Sequence, residues 1–268
     1  MAQREQRLLI TGSNGVVGRM LTARLAREGR RLRLLDLDHD PDFVPACAEV
    51  LTGSVVDREL VARAVDGVDA VVHLAGIPGE DTWERILEVN VHGSWVLLDA
   101  ARAAGVPKVL LASSNHAVGM APTLDAGADL AVDAIAPPDS YYGWSKTAVE
   151  SLGRLFGART GLDVLAVRIG SCFPEPNGER ALATWMSPDD VARLVEAFLV
   201  AAPAGYRCIW GVSDNTRRWW SLEEGRAMGY EPVDDAESYA GSVPALNSVS
   251  EWLGGRFPEH PLGEPMGL

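Results

Sequence analysis

The chain of 268 residues carries 24 basic and 37 acidic side chains, a formal charge of −13, with 47% apolar and 23% charged residues. That length allows one large domain or two small ones, and the composition excludes a disordered, collagen-like or disulfide-dense chain. The acidic balance offers no surface for neutralising phosphates, which argues against nucleic-acid binding.

Residues 1–6 are polar and lack the apolar core of a signal peptide, and no later stretch approaches the ~20 apolar residues that cross a bilayer. Three cysteines, Cys47, Cys172 and Cys208, form no CxxC pair. Their odd number suits a reducing compartment, so the expected location is cytoplasmic.

From residue 7 onward, short apolar runs alternate with longer amphipathic stretches, the βαβ pattern. Residues 7–11 read as the first strand. Val16, Val17, Met20, Leu21 and Leu25 then recur at helical spacing until Gly29 closes the helix, and residues 31–35 read as the second strand. The turn between the first strand and the helix, Gly12-Ser13-Asn14-Gly15-Val16-Val17-Gly18, has GxxGxxG spacing. Glycines there let the backbone approach a pyrophosphate, and the helix N-terminus supplies amide donors. Gly12, Asn14, Gly15, Val16 and Gly18 are therefore candidate cofactor ligands. Asp36 ends the second strand, where a carboxylate accepts from both adenosine ribose hydroxyls and repels a 2′-phosphate, favouring NAD over NADP. Arg19 and Arg33 pull the other way, because a nearby arginine accommodates that phosphate.

Further strands are expected at residues 49–51, 70–74, 109–112 and 164–169, with helices starting at Asp57, Trp83, Tyr142 and Pro188. Strands separated by helices predict an α/β fold, a doubly wound parallel sheet covered on both faces. This sheet is assigned to residues 1–170 as a dinucleotide-binding domain of the Rossmann type. After Gly170 the breakers Pro174, Pro176, Asn177 and Gly178 end the pattern, so residues 171–268 are assigned to a smaller substrate lobe packed on the first. The last fifteen residues hold three prolines and four glycines and are expected to wrap the surface or fray.

Tyr142-Gly143-Trp144-Ser145-Lys146 places a phenol and an ammonium one helical turn apart on one face, a geometry suited to proton transfer. A tyrosine working as a base near neutrality needs roughly 3–4 kcal/mol of preferential phenolate stabilisation, which a lysine and a positive nicotinamide supply. The chain has only two lysines, Lys108 and Lys146, against 22 arginines, so chance is a poor account of this spacing. Ser113-Ser114-Asn115-His116 follows the strand at 109–112, at the sheet edge where ligands bind, and the Ser114 hydroxyl can hydrogen-bond the reacting oxygen. A carboxylate substrate approaching an acidic chain needs a local cation, and Arg180, just after the Pro/Gly turn, can grip one bidentately. His73 and His92 read as a strand-end packing residue and a helix-surface residue; no Cys/His/Asp cluster accompanies them, so no metal is implied. Trp210, Trp219 and Trp220 read as core or lid packing.

Together the glycine turn, Asp36, His73-Leu74-Ala75-Gly76, Asn90-Val91-His92-Gly93, the serine loop and the Tyr142/Lys146 pair resemble the extended short-chain dehydrogenase/reductase family over residues 7–170. Ala112-Ser113-Ser114-Asn115-His116, Val167-Arg168-Ile169-Gly170-Ser171-Cys172, Pro174-Glu175-Pro176-Asn177 and Trp185 are similar to the branch that oxidises glucuronate or galacturonate at the anomeric carbon with NAD, giving an aldarolactone. The resemblance implies Tyr142 as base, Lys146 as its electrostatic partner and ribose ligand, and Ser114 as the hydroxyl that orients the substrate oxygen. It implies Asn90 as a helix-bending residue supporting a relay water. Leu74, Ala75, Gly76 and Asn90 join the cofactor contacts, and Ser114, Asn115, His116, Tyr142, Ser171 and Arg180 contact the sugar acid. Two departures stand out: Ser54 where many relatives have an aspartate near the adenine, and Pro78 where related enzymes can offer a serine. The expected partner is a small sugar acid, not nucleic acid or membrane; a homo-oligomer is compatible with the sequence but not specified by it. Two alternatives stay open. One is a nucleotide-sugar epimerase or dehydratase with tightly held NAD, for which the 98 residues after Gly170 are short. The other is a non-catalytic dinucleotide-sensing regulator, against which an intact Tyr142, Lys146 and Ser114 argue.

Overall fold

The computed structural model describes residues 5–244 and 250–267. Seven parallel strands form one sheet: β1 (Gln6–Thr11), β2 (Arg30–Asp36), β3 (Glu49–Thr52), β4 (Ala70–His73), β5 (Lys108–Ser114), β6 (Asp163–Ile169) and β7 (Tyr206–Gly211), in the order β3-β2-β1-β4-β5-β6-β7. Successive strand residues face opposite sides. Leu8, Ile10, Leu32 and Leu34 therefore enter one buried cluster, and Leu9, Leu35, Val71 and Val109 the other. Both faces need cover, which explains why the central strands β1, β4, β5 and β6 carry near-continuous apolar runs, while β3 at the edge is largely exposed.

The cover comes from the helices between the strands. α1 (Val16–Leu25) and α7 (Pro188–Val200) pack together on one face, while α2 (Arg58–Val65) packs on α4 (Gly93–Ala103), and α4 on α5 (Tyr141–Thr160), on the other. The helix that starts at Trp83 is α3 (Trp83–Ile86), and it runs into α4 through a π-helical stretch, Leu87–His92. Two short helices complete the set, α6 (Ala181–Thr184) and α8 (Glu223–Met228). None of the helices of the described residues is long and apolar enough to cross a membrane.

β7 is the one strand that sequence pattern does not anticipate. It pairs with β6 from Val164 opposite Tyr206 to Ile169 opposite Gly211, so residues 171–268 contribute a strand and a covering helix to the main sheet as well as the less regular segments around the site. Trp210 and Trp220 stack with their rings 4.7 Å apart, and Trp219 meets Trp220 edge-on, all three buried.

The C-terminal segment wraps. Leu253 and Gly254 donate their backbone N–H groups to Ala121 and Gly119, and Met266 donates to the Glu80 carbonyl. These bonds draw residues 250–267 across the loops that follow β4 and β5.

Candidate active site

The strand order reverses between β1 and β4, and the loops leaving their carboxyl ends define the crevice where open α/β sheets take ligands. The glycine turn shows why each glycine is needed. At Gly12, with φ +70°, a Cβ would lie 2.6 Å from the Ala75 nitrogen; at Gly18 it would lie 2.2 Å from the Gly12 oxygen. The outer glycines are therefore demanded by the turn's own packing against the loop after β4 and against α1. At Gly15 a Cβ would meet only the Gly12 oxygen, at 3.4 Å, so the middle glycine leaves backbone open to a ligand. No side chain caps α1 at Gly15, which suits an incoming anion. Gly18→Ala is expected to cost about 2 kcal/mol from overpacking, or roughly 4–8 °C in calorimetric Tm, and Gly15→Ala less.

Asp36 is fixed at the end of β2: its Oδ2 accepts from the Asn14 N–H at 2.7 Å and its Oδ1 from the Leu37 N–H at 2.7 Å. The Asn14 side chain donates in turn to Asp38. Both nearby arginines are engaged. Arg19 donates to the Asn14 carbonyl, pairs with Asp40 at 3.2 Å and lies over the Phe43 ring. Arg33 pairs with Glu49 at 2.7 Å and donates to the carbonyls of Arg63, Ala64 and Asp66. With these cations occupied and carboxylates at the rim, the residues fit an adenosine ribose without a 2′-phosphate.

Leu74 and Ala75 are tied to Thr11 through its carbonyl and hydroxyl, which docks the loop after β4 against the glycine turn. The Thr11 hydroxyl also meets His73 Nδ1 at 2.7 Å, and His73 Nε2 meets Ser94 Oγ at 3.0 Å. Burial pushes the His73 pKa down to about 3, with Lys146 adding to the effect, so this histidine is a neutral, hydrogen-bonded strand end. His92 is exposed and packs on Trp95. Among the described residues no group of three His, Cys, Asp or Glu side chains is placed to hold a metal.

α5 starts one residue before Tyr142, because the Ser140 hydroxyl caps it by accepting from the Gly143 N–H at 2.9 Å. The helix brings Lys146 under Tyr142: the ammonium lies 5.2 Å from the phenol ring centroid and donates to the Ala112 carbonyl at 2.9 Å. β5 delivers Ser114 to the same place, and Tyr142, Lys146, Ser114 and Asn90 are all buried. Asn90 sits in the π-helical stretch, where the Ser94 hydroxyl donates to its carbonyl at 2.6 Å. Its side chain accepts from the Ile77 N–H at 2.7 Å and donates to the Ile77 carbonyl and Ser145 Oγ, each at 3.1 Å. One amide thus ties the loop after β4 to α5. Gly76 belongs to this junction: a Cβ there would sit 3.1 Å from Asn90 Oδ1 and 4.0 Å from Lys146 Nζ.

Burial pushes the Tyr142 phenol up to about 12, the Ser114 side chain pulls it down, and Asp139 raises it further. Burial lowers the Lys146 ammonium to about 8, and Glu150 works to raise it. At neutral pH the phenol therefore holds its proton and the lysine its charge, and further positive charge beside the phenol is what makes it a base.

Beyond Ser114 lie Asn115, wholly buried, and His116. In the orientation that satisfies both ends of its amide, Asn115 donates to the Ile169 carbonyl at 3.1 Å and accepts from Arg180 Nη2 at 3.0 Å. Arg180 Nη2 also donates to the Leu253 carbonyl at 2.6 Å, and the guanidinium lies over the Trp219 ring. Its Nε is shut off from solvent with no hydrogen-bond partner. Among the described residues no carboxylate stands within ion-pair distance of it; burial pushes its pKa down to about 10, and the Asp139 charge works to raise it. Ser171 stands slightly apart: its hydroxyl lies 3.1 Å from Thr184 Oγ1, and it makes no hydrogen bond to the Tyr142 group.

Three residues of this site escape sequence reasoning. Glu80, buried, accepts from the Tyr142 N–H at 2.9 Å with one oxygen and from the Gly263 N–H at 2.8 Å with the other. Asp139 meets His116 Nδ1 at 2.6 Å, and the Phe257 ring lies tilted over the His116 ring at 3.8 Å between centroids. Only Asp139 leaves a trace in the sequence, as one half of an Asp-Ser pair at a helix start.

This arrangement of glycine turn, buried phenol, ammonium and hydroxyl has counterparts among known proteins. The model of the NAD dependent epimerase/dehydratase family matches residues 8–222. A uronate dehydrogenase of Agrobacterium fabrum is 37% identical over 264 residues, covering 96% of this chain and 98% of its own length. An NAD-dependent glucose-6-phosphate dehydrogenase of Haloferax volcanii is 36% identical over 254 residues, covering 88% of this chain and 96% of its own. The crystal structure of uronate dehydrogenase from Agrobacterium tumefaciens, a tyrosine-to-alanine variant complexed with NAD, superposes with a TM-score of 0.88 at 38% identity, over 96% of this chain and 98% of that one. Shared sequence across nearly the whole chain, on the same seven-stranded parallel scaffold, leads to one assignment: the chain belongs to the NAD dependent epimerase/dehydratase family.

Proposed function

We propose that this protein oxidises the anomeric carbon of a uronic acid, D-glucuronate or D-galacturonate, to the aldarolactone with NAD. The observation that carries the substrate class is Arg180, a guanidinium with a buried, unpartnered Nε, placed against Asn115 one residue from Ser114. A buried cation with no direct ion pair, compensated only by the charge of Asp139 beyond pairing distance, gains from an anion that meets it directly. One guanidinium suits the single charge of a carboxylate better than the charge of nearly two on a phosphate.

NAD would supply a hydride acceptor for C1. Gly12, Asn14, Gly15, Val16 and Gly18 would hold its pyrophosphate and Asp36 its adenosine ribose, with Leu74, Ala75 and Gly76 among its further contacts. The Tyr142 oxygen takes the proton of the anomeric hydroxyl, Lys146 stabilises the phenolate and holds the nicotinamide ribose, and the Ser114 hydroxyl orients the same sugar oxygen. Asn90 supports the water through which the proton leaves. Asn115, His116 and Ser171 meet the sugar, and Arg180 takes its carboxylate. The ring stays closed, so the carbonyl formed is that of a lactone. The reducing cytoplasm suits such an enzyme, whose three cysteines are all free thiols.

Asp36→Ala is expected to raise KM for NAD by at least about tenfold, the loss of a charged hydrogen-bond acceptor, while KM for NADP stays level or falls. Equal increases for both would assign Asp36 another task. The deciding assay is NADH appearance across uronic acids, neutral aldoses, aldose phosphates and nucleotide sugars. Uronic acids are expected to give kcat/KM at least about 100-fold above the neutral aldoses. Preference for an aldose phosphate, or tightly held NAD that turns over nucleotide sugars without net NADH, would overturn the reading.

A further inference from the structure

We infer that Asp139 is a positioning residue that acts through His116, fixing the imidazole with its proton on Nδ1 and leaving Nε2 as an acceptor for a sugar hydroxyl. This rests on the reading of the crevice as a sugar site and gives that site a direction.

The carboxylate is held on every side. Its side chain has no exposed surface. Oδ2 lies 2.6 Å from His116 Nδ1, and Oδ1 accepts from the Ser140 hydroxyl at 2.7 Å. That hydroxyl already accepts from the Gly143 N–H, so its own proton is committed to Oδ1. Three glycines from three segments make room for the group. A Cβ on Gly119 would lie 1.8 Å from Oδ2, one on Gly254 1.9 Å from it, and one on Gly143 2.7 Å from Oδ1. The first follows the serine loop, the second belongs to the wrapped C-terminal segment, and the third lies on α5. A carboxylate so enclosed cannot turn away from the histidine.

His116 is equally confined. Phe257 covers one face of the ring at 3.8 Å, and the Tyr142 ring stands edge-on at 5.6 Å. Among the described residues Nε2 has no hydrogen bond to protein. A carboxylate at Nδ1 sets the neutral tautomer, and the other nitrogen is then an acceptor. An acceptor at Nε2 pairs with a hydroxyl and not with a carboxylate, whereas Arg180 has only donors to offer. The two groups therefore sort the ends of the substrate, the carboxylate to Arg180 and a ring hydroxyl to His116, and this sorting brings C1 rather than another carbinol carbon to Tyr142.

The test uses the protein saturated with NAD and labelled with 15N-histidine, the His116 signals being identified by their absence in His116→Gln. The wild-type spectrum is expected to place the unprotonated nitrogen at Nε2. In Asp139→Asn the Ser140 hydroxyl keeps the amide oxygen and turns the NH2 toward His116, so the proton is expected to move to Nε2. KM for glucuronate is then expected to rise about 10- to 100-fold, with a much smaller fall in kcat and unchanged NAD affinity by fluorescence titration. Asp139→Asn added to His116→Gln is expected to cause little further loss. A wild-type proton on Nε2, or a loss from Asp139→Asn that simply multiplies that of His116→Gln, would overturn the inference. Should Asp139→Asn fail to fold, the wild-type spectrum decides alone. Absence of uronate oxidation by the wild type would sink the functional reading instead, and the tautomer would still report on the pair.

Discussion

Tyr142→Phe is expected to lower kcat for uronate oxidation by about 10³-fold, within the 10²–10⁴ that a positioned general base contributes. The change removes one oxygen and little else. The ring keeps its contacts with His116 and with Phe257, whose centroid lies 5.9 Å away, so Tm and NAD affinity should stay near wild type. The sign of the accompanying pH effect follows from the site. Burial pushes the phenol up to about 12, so the base form is scarce at neutrality, and raising the pH populates it. Wild-type kcat should therefore climb with pH from about 6 toward 9, and the residual rate of the variant should not. Steady-state kinetics across that range, beside a fluorescence titration with NAD, read both effects. Turnover within tenfold of wild type, or an unchanged pH profile, would move the base elsewhere.

How much of this could be read from the chain alone depends on the range of the interactions involved. β1, β4, β5 and β6 each carry an apolar run buried on both faces that identifies itself, β2 shows itself through Leu32, Leu34 and Leu35 among arginines, and the turns that follow β1 and β5 inherit their positions. Tyr142, Lys146 and Ser114 were legible for the same reason: a turn of helix and a strand end are local geometry. β7 was not, because Tyr206, Arg207 and Cys208 are only half-buried and the strand follows a stretch dense in Pro and Gly. The π-helical stretch left no mark in the periodicity of residues 87–92, and only the resemblance pointed to a bend at Asn90; the stretch answers to that side chain reaching across to Ile77 and Ser145. Asp139 and Glu80 escaped because their roles are made by distant chain, Gly254 and Gly263 arriving from the C-terminal segment. That same segment, rich in Pro and Gly and expected to wrap or fray, supplies Phe257 and the Leu253 carbonyl to the site.

Arg180→Met is expected to raise KM for glucuronate by about 100-fold or more, since removing one partner of a desolvated, hydrogen-bonded charge pair costs about 2–5 kcal/mol. Methionine fills much of the same volume and can keep the contact with Trp219, so the fold should hold, and loss of the bond to the Leu253 carbonyl should show as a small drop in Tm. The control lies in the substrate. A neutral aldose has no carboxylate to lose, so its low kcat/KM should stay level or rise, and the ratio between the two substrates should collapse toward one. Arg180→Lys should restore only part of the difference, because a single ammonium cannot reproduce the planar set of donors that meets Asn115 and the Leu253 carbonyl through Nη2 and leaves other N–H groups for a carboxylate. Salt dependence is a second readout. With a chain charge of −13, the global field opposes an anionic substrate, and salt weakens that field beyond a Debye length of ~8 Å. The contact with Arg180 lies within that distance, so added salt should lower KM for the wild type slightly rather than raise it. A wild-type KM that climbs steeply with salt would mean that exposed cations, not Arg180, gather the carboxylate.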